Sequence, residues 1–200
     1  MKKLSLYLFL VLMWCNTILA DITDLQIEGI SIHDSLLDVM SQKEIDQAKV
    51  TFYPKSKKFI MIQSNKISNL NYDQVYFSIK SNDPNYKIYE IKTVLVVFNL
   101  TDCFVQRNDL VKDIKQTFET EFSEGKVKID RWENIDNDDK TGESLVDSID
   151  FIFKDGKIRV ACDYYGKEYR IKNNLSSDYN HLSISIFDNE FYEWIQKESQ

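Results

Sequence analysis

Proline and glycine are scarce, two and five in 200 residues, which excludes collagen-like and Pro/Gly-rich low-complexity classes. Histidine is scarcer still, with only His33 and His181. A metal centre built from His and Cys would need both plus a thiol, and the chain has no close-spaced pair such as CxxC or HxxxH. GxGxxG, P-loop and nucleophile-elbow patterns are all missing. This disfavours nucleotide-dependent chemistry and the commonest serine hydrolases, and no cofactor is expected. Basic residues fall short of acidic ones, 25 against 32, for a net charge of −7. A sequence-independent nucleic-acid binder needs a basic face to displace counterions from phosphates, so no nucleic-acid partner is expected, and anionic membrane surfaces are disfavoured likewise. The amino-terminal apolar run is about eleven residues, short of the ~20 that a membrane-spanning helix needs, and no later segment reaches ~18 uncharged apolar residues.

Apolar and aromatic side chains, by contrast, are plentiful. The chain is 43% hydrophobic with twelve Phe and eleven Tyr, too apolar for disorder, and at this length roughly two-thirds of the unfolded surface is buried on folding. The amino terminus carries Lys2 and Lys3, an uncharged run from Leu4 to Trp14 (LSLYLFLVLMW), then a more polar stretch to Ala20. This is the three-part pattern of a secretory signal peptide. The competing reading, a lipid anchor on Cys15, is disfavoured by the bulky Trp14 before it. The expected organisation is a signal peptide over residues 1–20 and a single α+β domain over 21–200, periplasmic or secreted, with no stable membrane span once the leader is removed. Without Lys2 and Lys3 the balance becomes 23 basic to 32 acidic, a net charge of −9.

Export gives the cysteines their meaning. Beyond the leader only Cys103 and Cys162 remain, and in an oxidising compartment they have one intramolecular pairing open to them. Buried reduced thiols are the alternative.

Periodicity supplies the elements. Leu25, Ile27, Ile30 and Ile32 suggest a short extended segment interrupted at Gly29. Asp34 or Ser35 can cap a helix running to about Lys49, with Leu36, Leu37, Met40 and Ile45 on one face. Strands are expected at 57–62, 74–80 and 86–98, with a turn at Asp83-Pro84-Asn85. Thr101-Asp102 opens a second helix whose stripe of Leu110, Ile114, Phe118 and Phe122 extends back to Cys103. A strand at 126–129 is followed by a connector through the acidic segment Asp130 to Glu143. A hairpin over 149–165 turns at Asp155-Gly156 and points Ile158, Val160, Cys162 and Tyr164 to one face, Arg159 and Asp163 to the other. Both cysteines then face the core, which favours their pairing. Further strands at 168–171 and 182–187 and a terminal helix over 189–196 complete an α+β fold. Its antiparallel sheet or sheets carry two main helices and a short C-terminal helix. Helix-then-strands occurs twice, from Asp34 and from Asp102, without an exact repeat.

Few constellations carry chemistry. His33-Asp34-Ser35 holds the residue types of a hydrolytic triad, but adjacent residues do not converge as a triad must, so a turn and cap is the better reading. In the acidic segment Asp139 stands where an EF-hand needs glycine and Leu145 where it needs the closing Glu, leaving a solvated connector. Tyr164, Tyr165, Tyr169, Tyr179, Tyr192 and Trp194 crowd the final third. They read mainly as packing residues, with Tyr164, Tyr165, Tyr169, Tyr192 and Trp194 the candidates for a binding surface.

The leader, followed by IEGISIHDSLLD from Ile27 to Asp38, resembles the start of a group of small exported proteins of AT-rich marine alphaproteobacteria. The segments Tyr86-Lys87-Ile88-Tyr89 and Asp102-Cys103-Phe104 are weaker points of similarity. The group has a glycine where this chain has His33. The resemblance implies an envelope location and no assigned activity. Composition, leader and resemblance together lead to the expectation of a non-catalytic periplasmic domain that binds a protein or envelope component. The alternative is a carboxylate-dependent hydrolase acting on a sugar or ester. Two converging carboxylates in a pocket would favour the second; a flat apolar or aromatic patch would favour the first.

Overall fold

The computed structural model describes residues 21–53, 56–64, 72–135, 139, 141–175 and 180–197. The leader, residues 1–20, lies outside the described residues, as does Tyr179. In chain order the elements are β1 (Gln26–Ile27), β2 (Ile30–Ser31), α1 (Gln42–Gln47), β3 (Lys49–Phe52), β4 (Phe59–Ser64), β5 (Gln74–Lys80) and β6 (Ile88–Val96). There follow α2 (Leu100–Thr117), α3 (Glu119–Ser123), β7 (Lys128–Ile135), β8 (Leu145–Ile152), β9 (Gly156–Tyr164), α4 (Lys167–Lys172), β10 (His181–Asp188) and α5 (Asn189–Lys197). Helices and antiparallel sheets in this arrangement make an α+β fold, as expected. The chain divides into two compact units: Lys92–Ile186 forms one, and the residues on either side of it form the other. No described helix is long and apolar enough to cross a membrane.

In the flanking unit β1 and β2 pair as a tight hairpin, Ile27 opposite Ile30. Its two loop residues, Glu28 and Gly29, both have positive φ, 55° and 79°, the turn geometry that matches the right-handed twist of paired strands. Strand neighbours then run β3-β4-β5-β6. The core of this unit is aromatic: Phe59, Tyr89, Phe187, Phe191 and Trp194 are buried together, with Tyr53, Tyr192 and Ile195 packed against them. Ring pairs such as Phe59–Phe191 at 5.2 Å and Tyr53–Trp194 at 4.8 Å meet edge to face, as the ring quadrupole favours.

In the central unit the strand order is β6-β10-β9-β8-β7. Asn99 caps α2 by accepting from the Asp102 amide at 2.8 Å. The buried stripe of that helix is Cys103, Arg107, Leu110, Val111 and Ile114, and the stripe carries the disulfide: Cys103 and Cys162 are bonded, with their Cα atoms 6.0 Å apart. Phe118 and Phe122 continue the line, meeting Phe153 at 5.1 Å and Phe151 at 5.9 Å. Cys162 is fully buried on β9, on the side expected from its alternation.

Three local expectations are corrected. The helix expected from Asp34 to Lys49 is a 3-10 turn, Leu36–Asp38, then α1, then β3. The break falls at Ser41, whose N–H and hydroxyl both donate to the Glu44 carboxylate at 2.8 and 2.7 Å, the S-x-x-E pattern that starts a helix afresh. The strand expected at 168–171 is the helix α4. Gly166 stands at its N-cap, and the Arg170 and Asn173 amides donate to the Gly166 and Tyr169 carbonyls at 3.0 Å each, the four-residue bonds of a helix. Finally, β7 runs six residues further than expected, to Ile135, paired along its whole length with β8. It is the outermost strand of its order, and charges such as Asp130, Arg131 and Glu133 are what edge strands carry to discourage further pairing.

Candidate functional site

A cleft of about 720 Å³ in the flanking unit is lined by Lys57, Lys58, Lys80, Ser81, Asn82, Asp83 and Tyr89. Strand register assembles it. Phe59 lies opposite Lys80 across β4 and β5, and Ser81 N–H donates to the Lys58 carbonyl at 3.0 Å. The lysines before β4 and at the end of β5 therefore arrive side by side. The Asp83-Pro84-Asn85 turn behaves as its residue types dictate: Asp83 Oδ1 accepts from the Asn85 amide at 2.9 Å and Oδ2 from the Lys87 amide at 3.1 Å. This brings the chain back so that Lys87 reaches the Tyr89 ring.

Tyr89 is the floor of the site. It is 5% exposed. Lys80 Nζ stands 4.6 Å and Lys87 Nζ 5.2 Å from its ring centroid, close enough for cation–π attraction. His33 meets the same ring edge to face at 6.1 Å. Lys58 similarly stands over Phe59 at 5.3 Å, and Lys57 over Phe52 at 5.9 Å.

Helix α5 supplies a counter-ion. Glu190 Oε1 lies 2.9 Å from Lys80 Nζ and 3.3 Å from Lys58 Nζ, and its Oε2 accepts from Lys80 at 3.0 Å. Tyr89, by hydrogen bonding, does most to raise the Lys80 ammonium pKa; burial opposes and Glu190 adds to the rise. Burial alone would raise the Glu190 carboxyl, but Lys80 and Lys58 outweigh it and hold it below its usual range. Beside Tyr89, His33 Nε2 is 2.8 Å from Asp188 Oδ2, while Asp188 Oδ1 caps α5 by accepting from the Phe191 amide at 2.8 Å. His33 has φ 74°, so the left-handed backbone that glycine adopts freely is held here by a side-chain bond. Ser35 caps the 3-10 turn, so His33, Asp34 and Ser35 form the expected turn and cap.

The cleft can hold an anion against two or three ammonium groups. Two carboxylates stand at it: Asp83 of the lining accepts from the Asn85 and Lys87 amides, and Glu190 is paired with Lys58 and Lys80.

The residues singled out from sequence lie elsewhere. Tyr164, Tyr165 and Tyr169 belong to the central unit, Tyr192 and Trp194 to the flanking one. Trp194, a candidate for a binding surface, is instead 2% exposed in the aromatic core, and Tyr192 stacks on Phe187 at 5.6 Å. In the acidic segment Asp139 is buried and occupied: its Oδ1 accepts from the Thr141 amide and hydroxyl at 3.0 and 2.7 Å, and its Oδ2 from the Ser144 amide at 2.9 Å and from the Ser144 hydroxyl. Those bonds, led by the one from Ser144, depress its carboxyl to about 2. Asp139 thus ties a loop together. Among the described residues no cluster of three His, Cys, Asp or Glu is placed to hold a metal.

Sequence reasoning missed Lys57, Lys58, Lys80, Tyr89 and Glu190, and also the ion cluster around the buried Asp147 of the central unit. There Arg107 Nη1 lies 2.8 Å and Arg131 Nη2 2.6 Å from the two oxygens of Asp147, and Arg107 stacks over Phe104 at 4.7 Å. Burial would raise the Asp147 carboxyl; the bonds from Arg131 and Arg107 hold it low. The available signal was Arg107, four residues after Cys103 on the buried stripe.

No protein-family model matches the chain, and neither does any curated protein or solved structure.

Proposed function

We propose that the chain is an exported, non-catalytic binding protein whose cleft takes a small ligand bearing a carboxylate or phosphate group. The observation that carries this reading is the convergence of Lys57, Lys58 and Lys80 on one cleft in a chain whose net charge is −7. The volume is of the size that small-molecule sites have, and an envelope component such as an acidic sugar is of that size and charge. Export is supported by the leader pattern of residues 1–20 and by the Cys103–Cys162 bond, of a kind that persists in oxidising compartments.

Calorimetric titration with inorganic phosphate and with D-galacturonate, at low and at physiological ionic strength, tests the cleft. Binding should weaken with salt, and the double variant K58A/K80A should lose about ten- to a hundredfold in affinity, as for removal of hydrogen bonds to a charged partner. Binding that ignores both salt and the lysines would refute the assignment. For export, the mature protein recovered from its native source should begin near Asp21; material retaining Met1–Ala20 would count against it.

A further inference from the structure

We infer that Glu190 is the resident counter-ion of the cleft and that an acidic ligand replaces its carboxylate on Lys58 and Lys80. The inference rests on the anion-binding reading above and adds how the site is regulated: the protein carries its own competitor. Glu190 already demonstrates the geometry. One of its oxygens touches both ammonium groups and the other touches Lys80, which is how a ligand carboxylate would be held.

The contact is also exchangeable. The Glu190 side chain is 44% exposed and the Lys58 side chain 41%, so water screens the pair and its hold is weak. Released from the lysines, Glu190 stays in a favourable place, because it sits in the first turn of α5, where the helix dipole stabilises negative charge. The lining contributes three lysines against Asp83, so with Glu190 in place the cleft retains one net positive charge, and without it two. Lys57 lies over Phe52 and is paired with no carboxylate in the described residues, ready for a second acidic group on the ligand.

The test compares E190Q with E193Q. Glu193 lies on the same helix, paired with Lys197 at 3.4 Å and 66% exposed, so E193Q removes the same charge without touching the cleft. Titrated with inorganic phosphate and with D-galacturonate at about 20 mM ionic strength, E190Q should bind about fivefold tighter than wild type. E193Q should match wild type within about twofold, and the E190Q gain should shrink at 0.15 M salt. Thermal melts of both variants establish that they are folded. Wild-type binding that E190Q leaves unchanged or weakens would overturn the counter-ion role while leaving the anion site standing. Equal gains in E190Q and E193Q would reduce the effect to overall charge and overturn it too. Failure of wild type and E190Q alike to bind either probe would overturn both readings.

Discussion

Replacing Asp147 by Asn should be among the most damaging single changes in the central unit. Asp147 lies opposite Cys162 across β8 and β9, and its partner Arg107 stands one helical turn beyond Cys103. Ion pair and disulfide therefore clamp the same stretch of α2 to the same pair of strands. The Asp147 side chain is 1% exposed and that of Arg107 7%. The amide of Asn would keep the shape but leave the guanidinium buried without a counter-charge, a loss of about 3–5 kcal/mol. A small domain has roughly 5–15 kcal/mol in total, so this is a large share. Replacing Arg107 by Met should cost about 2 kcal/mol or less, because Asp147 keeps Arg131 and an apolar chain fills the space. Urea unfolding followed by far-UV circular dichroism measures both. The pH dependence has a definite sign. The folded-state carboxyl is depressed, so its stabilisation is complete above the unfolded value near 4 and is lost as pH falls through the lower folded value. The gap between wild type and D147N should be widest at neutral pH and close in acid. Losses under about 1 kcal/mol for D147N, or equal losses for both variants, would refute the reasoning.

Reduction of the Cys103–Cys162 bond, which spans 59 residues, should remove about 4 kcal/mol in the chain-entropy model, seen as a fall in the urea midpoint on adding reductant. Trp194→Ala should destabilise by about 3–5 kcal/mol, as for emptying a core aromatic site, whereas a surface tryptophan would cost little; chemical denaturation separates the two. At position 33 the left-handed backbone costs a non-glycine residue roughly 1–2 kcal/mol, and the bond to Asp188 returns about 1 kcal/mol. His33→Gly should therefore stay within about 1 kcal/mol of wild type while His33→Ala falls below His33→Gly by a similar amount, in parallel thermal melts.

What was legible in the sequence was what depends on neighbours along the chain. The extent of β5, the hairpin at Asp155-Gly156, the Asp83 turn and the stripe of α2 from Cys103 to Ile114 all follow from alternation, four-residue spacing or turn chemistry. The disulfide was readable because both partners sit on such patterns. Errors arose where a short polar signal outweighed the apolar pattern. Ser41 and Glu44 restart a helix that Leu36, Met40 and Ile45 suggested was continuous, and Lys167–Lys172, mostly charged, is a helix where Tyr169 and Ile171 read equally as a strand. The cleft was not legible. Its lysines come from the approach to β4 and the end of β5, its floor from β6 and its counter-ion from α5, and only strand register brings them together. The net negative charge concealed them further, since an average over the chain says nothing about where its cations gather.

The aromatic core of the flanking unit is closed by the last stretch of the chain: Phe187, Phe191 and Trp194 pack on Phe59 and Tyr89, although some hundred residues separate the two groups along the sequence. The central unit, being one uninterrupted stretch, has all its parts as soon as Ile186 has been made. Its neighbour must wait. A chain stopped short of α5 would leave β4 and β6 displaying Phe59 and Tyr89 uncovered, a sticky intermediate of the kind that recruits chaperones or clumps. Order of assembly is thus written into the connectivity: the middle can mature first, and the two ends finish as one event.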